Sequence, residues 1–283
     1  MNYDNPYYIE KLRIKEIHDK GYKGEGITIA IIDSGADYNH KELKNAIHHG
    51  VNFTCELNGN KFDYMDLFYH GTAVLSVIKK IAPNSKIIVI KSMQKGGKGT
   101  FDDVLKGLDY ALSQKVDIIS MSVGTKRHNS NLEKKIKQIV EKGISVVVSA
   151  GNENDGISST KEIAYPAYYQ EVISVGSCNK NGNPSYFSNT NDLIDLITYG
   201  EKIQIIKPKN KYGTDDGSSF SCPIVAGVLA LIKQYMLTQQ DKVTEQELFE
   251  ELIKNTKFIE GEDRSAQGHG ILILDNFIGK ISK

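Results

Sequence analysis

Four runs of the chain are apolar at nearly every position and rich in β-branched residues: Ile27–Ile32 in GITIAIIDSG, SKIIVIKSM, VDIISMSVG and ISVVVSAGN. Runs without alternation read as strands buried on both faces. Between them the apolar period changes to that of a helix. Ala73, Val74, Val77, Ile78 and Ile81 fall on one helical face, and further helices are predicted over Phe101–Gln114 and Leu132–Lys142. His40–Ala46 reads as a short helix and Val51–Phe53 as an edge strand. At the start, Asn5 before Pro6 opens a helix and Gly21 with Gly24 stops it, which predicts one helix of about four turns. Strand and helix alternate with crossovers long enough for parallel pairing. The predicted fold is α/β, a doubly wound, mostly parallel sheet with helices on both faces.

A different pattern occupies Asn210–Ile232, NKYGTDDGSSFSCPIVAGVLALI. A polar, glycine-bearing loop runs straight into a helix that is apolar on nearly every face, so a serine hydroxyl sits at the N-terminus of a buried helix. The unpaired N–H groups there favour negative charge developing beside it. Pro223 fits a first helical turn, where it removes only an N–H without an intrahelical partner, and Gly217 admits close approach of another group. Alone, a serine in this place is ordinarily an N-cap. It needs partners to be more.

Composition narrows the partners. The chain has 283 residues, 40% of them hydrophobic, and no composition shift or linker divides it, so a single domain over 1–283 is expected. Its 35 basic residues balance 35 acidic ones, which gives no field to recruit nucleic acid or an anionic membrane. Cys55, Cys178 and Cys222 are too few and too scattered for a disulfide framework or a zinc site, and no cofactor or metal is expected. The N-terminus lacks the apolar core of a secretory signal, and no run approaches the ~20 apolar residues of a membrane span. A soluble, cytoplasmic monomer is the expectation.

The sheet gathers the candidate chemistry. Asp33, Gly124 and Asn152 all follow the C-terminal ends of predicted strands, and His70 and Ser219 stand at helix N-termini facing the same edge. An aspartate, a histidine and a serine converging on one edge is what an activated hydroxyl nucleophile requires: a base for the serine proton, a carboxylate to orient it, and a donor for the oxyanion.

The motifs that carry these residues, DSG at Asp33, HGT at His70, SAGN ending at Asn152 and GSSFSCP around Ser219, resemble the four signatures of the subtilisin family of serine peptidases in order and spacing. Weaker matches run over nearly the whole chain: NPYYIEKLR, SMSVG, YPAYY, NKYG and GHG. Counting back from Pro223, the resemblance assigns the nucleophile to Ser219 rather than Ser218 or Ser221, with Ser218 in place of the usual threonine and Phe220 in place of methionine. It implies Asp33, His70 and Ser219 as the triad, and the Asn152 amide with the Ser219 N–H as oxyanion donors. The chain order Asp, His, Ser agrees with this family.

The resemblance further implies that Gly97, Lys98 and Gly99 on one side and Ser122, Val123 and Gly124 on the other bind an extended peptide as an added strand. By the same match Met93 and Phe101 line apolar pockets upstream of the cut, although isolated residues of those types are more often core. Glu153 and Ala164 flank the primary pocket. Asp215, with Asp216 beside it, lies on the leaving-group side, where it should favour Lys or Arg. The function implied is a serine endopeptidase acting on extended polypeptide. Its role is either maturation of a precursor peptide by trimming its leader or general intracellular degradation. The third reading is a catalytically silent peptide-binding pseudopeptidase, against which the intact Asp33, His70, Asn152 and Ser219 set argues.

The tight calcium site of the calcium-binding members is expected to be missing. The helix from His70 passes through Ile78 to Lys80 with no room for the metal-binding loop, and Glu42 alone resembles a remaining ligand. A weaker site near Ala167 and Asp195 is the exception to watch. Only four residues precede Asn5 here, so maturation without a propeptide is also expected.

Overall fold

The apolar runs form the strands they predict, and their side chains alternate between two cores. A computed structural model of the chain describes residues 6–157 and 160–282. Helices α1 (Tyr7–Lys11) and α2 (Ile14–Asp19) precede strands β1 (Thr28–Asp33) and β2 (His49–Asn52). Helix α3 (His70–Ile81) leads to β3 (Lys86–Lys91), the short β4 (Met93–Gln94) and β5 (Lys98–Gly99), and α4 (Phe101–Ser113). There follow β6 (Ile118–Met121), α5 (Ser130–Glu141), β7 (Ser145–Ser149), β8 (Ile173–Cys178) and β9 (Leu196–Tyr199). The hairpin β10 (Ile203–Lys207) and β11 (Lys211–Asp215) runs into α6 (Ser218–Gln239). The chain closes with α7 (Glu245–Ile253), β12 (Thr256–Lys257), α8 (Arg264–Gln267), β13 (Ile271–Leu272) and α9 (Asp275–Ile281).

Nine strands form one sheet in the order β12-β13-β9-β8-β7-β6-β1-β3-β2, parallel except for β12 against β13. Ile29, Ile31, Ile87 and Val89 face a core with α3 and α6, whereas Ala30, Ile32, Ile88 and Ile90 face a second core with α4 and α5. That alternation is why the runs are apolar at nearly every position: each face has its own helical cover. Burying each isoleucine contributes about 1.5–3 kcal/mol, so neither face tolerates a polar register slip. The predicted edge strand is β2, one neighbour outside β3.

Three expectations need correction. The N-terminal stretch is two helices, broken at Arg13, whose backbone is left-handed at φ 53°. Leu12 and Ile14 are both buried, and two residues apart they cannot share one face of a straight helix. The Arg13 guanidinium then bridges Glu16 and Asp275, each at 2.7 Å. The helix start read at Asn5 lies outside the described residues. His40–Ala46 forms successive turns rather than a helix: the Asp37 carboxylate and the His40 ring accept the N–H groups of Asn39 and Glu42, and Leu43 is the one fully buried apolar side chain of the segment. Finally, α6 is by length and composition apolar enough to cross a membrane, with a mean hydropathy of 1.6, contrary to the expectation that no run comes close. Because 78% of that window is buried inside the protein, it is the central core helix.

Candidate active site

The C-terminal ends of β1, β6 and β7 and the N-termini of α3 and α6 meet along one edge of the sheet. Asp33 ends β1 with 1% of its surface exposed, and both of its carboxylate oxygens lie against His70 Nδ1, at 2.9 and 3.0 Å. The Ser34 N–H donates to Asp33 Oδ1 at 2.6 Å, and the Asp33 carbonyl accepts the Ser92 N–H at 2.9 Å. A β-carbon on Gly71 would stand 2.1 Å from the Gly35 carbonyl oxygen, so only glycine lets the helix behind His70 seat this close to the strand end. Burial disfavours a charged His70 imidazole, but the Asp33 charge and hydrogen bond, with smaller help from Asp66 and Asp215, outweigh it and raise the histidine above its ordinary value.

Helix α3 needs its start held, and the buried carboxylate of Asp66 does this. It accepts the Ser34 hydroxyl, the N–H groups of Phe68, Tyr69 and Thr72, and the Thr72 hydroxyl, at 2.6–3.0 Å. The Gly71 N–H donates to Ser34 Oγ at 2.9 Å, which closes the network on the residue after Asp33. Behind it lies Lys91, with no exposed surface. Its ammonium donates to the carbonyls of Ser34 (2.7 Å) and Met93 (3.0 Å) and stands 2.8 Å from Glu56 Oε2. Sequence reasoning misses both Asp66 and Lys91. An aspartate shortly before a helix start is the one available signal for Asp66.

Ser219 is the second residue of α6, and its hydroxyl makes no hydrogen bond among the described residues. The structure therefore joins Asp33 to His70 and leaves the His70–Ser219 contact unclosed, as is common before substrate arrives. Phe220, the residue after Ser219, brings its ring centroid to 6.0 Å from that of His70. Pro223 falls in the second helical turn and not the first, so its missing N–H does orphan a carbonyl, that of Ser219. The Ser122 hydroxyl supplies the replacement, donating to Ser219 O at 2.8 Å. Ser122, which the sequence marks only as part of a substrate strand, thus pins the backbone of the serine itself.

The Asn152 side chain is oriented from its oxygen end. Oδ1 accepts the Ser218 N–H at 2.8 Å and the Ser218 hydroxyl at 2.9 Å, which leaves the amide NH₂ facing outward. Its nitrogen and the Ser219 backbone nitrogen stand 3.3 and 3.7 Å from the point a β-carbon on Gly217 would occupy. Gly217 has φ 149°, so glycine here provides both the backbone conformation and the space beside the two nitrogens. Ser218, which stands where the family has threonine, holds the amide by its oxygen.

Two hollows flank these residues. One, of about 340 Å³, is lined by Ser122, Gly124, Asn152, Glu153, Ala164 and Ser219 among others, with the ammonium-bearing Lys126 at its side. The Glu153 carboxylate is turned onto the Asn152 N–H at 3.0 Å. The second, of about 900 Å³, lies between β5 and the Val123–Gly124 segment, and Met93, Gly97, Lys98, Gly99 and Phe101 line it. Met93 and Phe101 are half-buried there, and Phe101 also packs against the second core. Asp215 ends β11 on another side of His70, with Oδ2 accepting the Tyr69 hydroxyl at 3.0 Å.

The carboxylates read as calcium-related have protein partners. Helix α3 runs unbroken to Ile81, the Glu42 carboxylate accepts the Tyr212 hydroxyl, and no group of three or more His, Cys, Asp or Glu side chains among the described residues is placed to hold a metal. Asp195 accepts the Ser174 N–H at 2.8 Å and burial pushes its carboxyl up to about 7.

A buried carboxylate on an imidazole, a serine at a helix N-terminus and two nitrogen donors near one point are the parts that acyl-transfer hydrolysis uses. The chain belongs to the subtilase family, whose model matches residues 24–271. It is 39% identical over 280 residues to the major intracellular serine protease of Bacillus subtilis, covering 95% of this chain and 88% of that one. It is 40% identical over 262 residues to an intracellular serine protease of Paenibacillus polymyxa (89% and 80% covered) and 32% over 237 residues to a subtilisin of Bacillus pumilus (80% and 84%). The protein is accordingly a serine endopeptidase of subtilisin type.

Proposed function

We propose that this peptidase cleaves extended polypeptide with Ser219 as nucleophile, His70 as its general base and later acid, Asp33 as the group that orients and charges that base, and Asn152 with the Ser219 N–H as oxyanion donors. The observation that carries this is the Asp33–His70 pair at 2.9 Å beside the Asn152 amide and the Ser219 N–H, which flank one point. The His70 Nδ1–H is held by Asp33, so Nε2 is left as the lone-pair nitrogen that takes the serine proton. Attack on the scissile carbonyl forms the acyl-enzyme, the amine leaves with the proton from His70, and water repeats the sequence. Asn152→Leu, which removes one donor, should lower kcat by about 10²–10³, the size known for loss of this donor in subtilisin, with little change in KM. An unchanged kcat would remove Asn152 from the role.

The edge of β5 (Lys98–Gly99) and the segment Ser122, Val123, Gly124 offer backbone on both sides of a peptide lying over Met93 and Phe101. The primary side chain enters the hollow between Glu153 and Ala164. Action in the cytoplasm is supported by the intracellular relatives, and the role there is general degradation of polypeptide by a monomer. A second reading, dedicated trimming of a precursor's leader, is favoured by one feature. Lys98 and Arg127 line the upstream hollow with no acidic side chain among its lining residues, which gives the groove a reason to discriminate. A cleavage profile on a peptide library separates the two: broad acceptance supports degradation, and a narrow upstream motif supports maturation.

On the leaving-group side, Asp215 should favour Lys or Arg directly after the cut by about 0.5–1 kcal/mol, a few-fold in kcat/KM, and less in high salt. Asp215→Asn at low ionic strength should abolish that preference. Retention of it would show that the carboxylate does not face the substrate.

A further inference from the structure

Tyr69, the residue before His70, has a backbone conformation that tyrosine rarely adopts: φ 108°, ψ −23°. The other non-glycine residues with positive φ lie between 52° and 64°, in the ordinary left-handed well, so Tyr69 alone among the described residues is held well outside it. Strain of this kind persists only where the surroundings over-determine it. Here they do. The Tyr69 N–H donates to Asp66 Oδ1 at 2.8 Å, its carbonyl accepts the Ala73 N–H at 3.0 Å, and its hydroxyl donates to Asp215 Oδ2 at 3.0 Å. The Lys207 ammonium lies 5.2 Å from the ring centroid, and the rings of Phe68 and His70 stand 5.1 and 6.4 Å away. Burial and the Asp215 charge push the phenol up to about 12, so it remains a donor at any working pH. The residue thus ties the N-terminus of α3, which carries His70, to both strands of the β10–β11 hairpin, through Lys207 and Asp215.

We propose that Tyr69 is a positioning residue: its strained backbone and its phenol together lock His70 and the Asp215 carboxylate in fixed relation, so that base alignment and leaving-side selectivity depend on one side chain. The inference rests on the reading of His70 as the base and Asp215 as facing the leaving group. A residue kept only for packing would lose Tm and kcat together on replacement by glycine, which accepts φ 108° but removes the ring contacts. A residue kept for alignment would not.

The test uses Tyr69→Gly and Tyr69→Phe in the full chain, with Asp215→Asn as control. Each is measured for Tm, for kcat and KM, and for the ratio of kcat/KM on matched peptides carrying Lys or Ala after the cut. Tyr69→Gly should keep or raise Tm while lowering kcat about tenfold or more with KM within about twofold, since small misplacements of a base are costly. Tyr69→Phe, which keeps ring and strain but loses the Asp215 contact, should hold kcat on the Ala peptide within about twofold and bring the Lys-to-Ala ratio close to that of Asp215→Asn. If Tyr69→Gly raises Tm and leaves kcat intact, the proposal is overturned. If Asp215→Asn changes the ratio and Tyr69→Phe does not, the phenol's part is overturned while the reading of Asp215 stands. If Asp215→Asn itself changes nothing, that reading fails first. A drop in Tm and kcat together for Tyr69→Gly, with Tyr69→Phe like the native enzyme in all respects, assigns Tyr69 to packing and also overturns the proposal.

Discussion

Ser219→Ala and His70→Ala should each remove nearly all turnover, about 10⁶-fold in kcat as in subtilisin itself, and the double variant should be no worse than the poorer single one. The non-additivity follows from the geometry here. A serine hydroxyl without its base is a weak nucleophile, and a base without its serine has no proton to take. What should remain after either change is the binding and oxyanion contribution proposed for the Asn152 amide and the Ser219 N–H, which neither substitution removes. Both side chains are partly exposed, so the thermal melts of the variants should stay close to the parent. Loss in the double variant far beyond the worse single one would mean that the two do not act as a unit.

Asp33→Asn should be milder, about 10⁴-fold in kcat, and should change the shape of the pH profile. Asp33 is the favourable influence that overcomes the burial of His70 and raises its pKa. The acid limb of kcat/KM in the parent should therefore lie above the ordinary imidazole value of about 6.5, because His70 must lose its proton to act as base. In Asp33→Asn the raising influence is gone and burial remains, so the limb should move to lower pH. The raised value also has a consequence for folding. The pair of charged His70 with Asp33 contributes stability fully below about 6.5, and this is lost as pH rises through the folded value. Kinetic profiles over about pH 5–9 check the first point; an acid limb unmoved by the substitution would show that Asp33 does not control the histidine.

The sheet is legible in the sequence because β1, β3, β6 and β7 are covered on both faces, so their sequences carry no alternation to confuse with a helix. The edge that carries the candidate site is legible for the same reason: strand ends locate Asp33 and Asn152, and helix starts locate His70 and Ser219. What is not legible depends on contacts between distant segments. Nothing near Leu12 announces that it and Ile14 both seek the core, which breaks the first helix at Arg13. The placement of Pro223 in the second turn of α6 needs the helix start to be known, and so the need for the Ser122 hydroxyl 97 positions away is hidden. The Asp66 carboxylate receives donors from Ser34 and from the turn into α3, and its role exists only once those segments meet. Lys91 reads as a polar end of a strand, yet its ammonium is buried on two carbonyls and Glu56.

The central claim is that Ser219, activated through His70, is the nucleophile, and covalent labelling tests it most directly. A fluorophosphonate reacts with a serine hydroxyl only when a base takes its proton, so the probe reads activation as well as identity. The native protein should incorporate one equivalent, with the label on the peptide containing Ser219 by mass spectrometry, and Ser219→Ala should incorporate none. Labelling that persists in Ser219→Ala, or a native protein that does not react at all, would contradict the account.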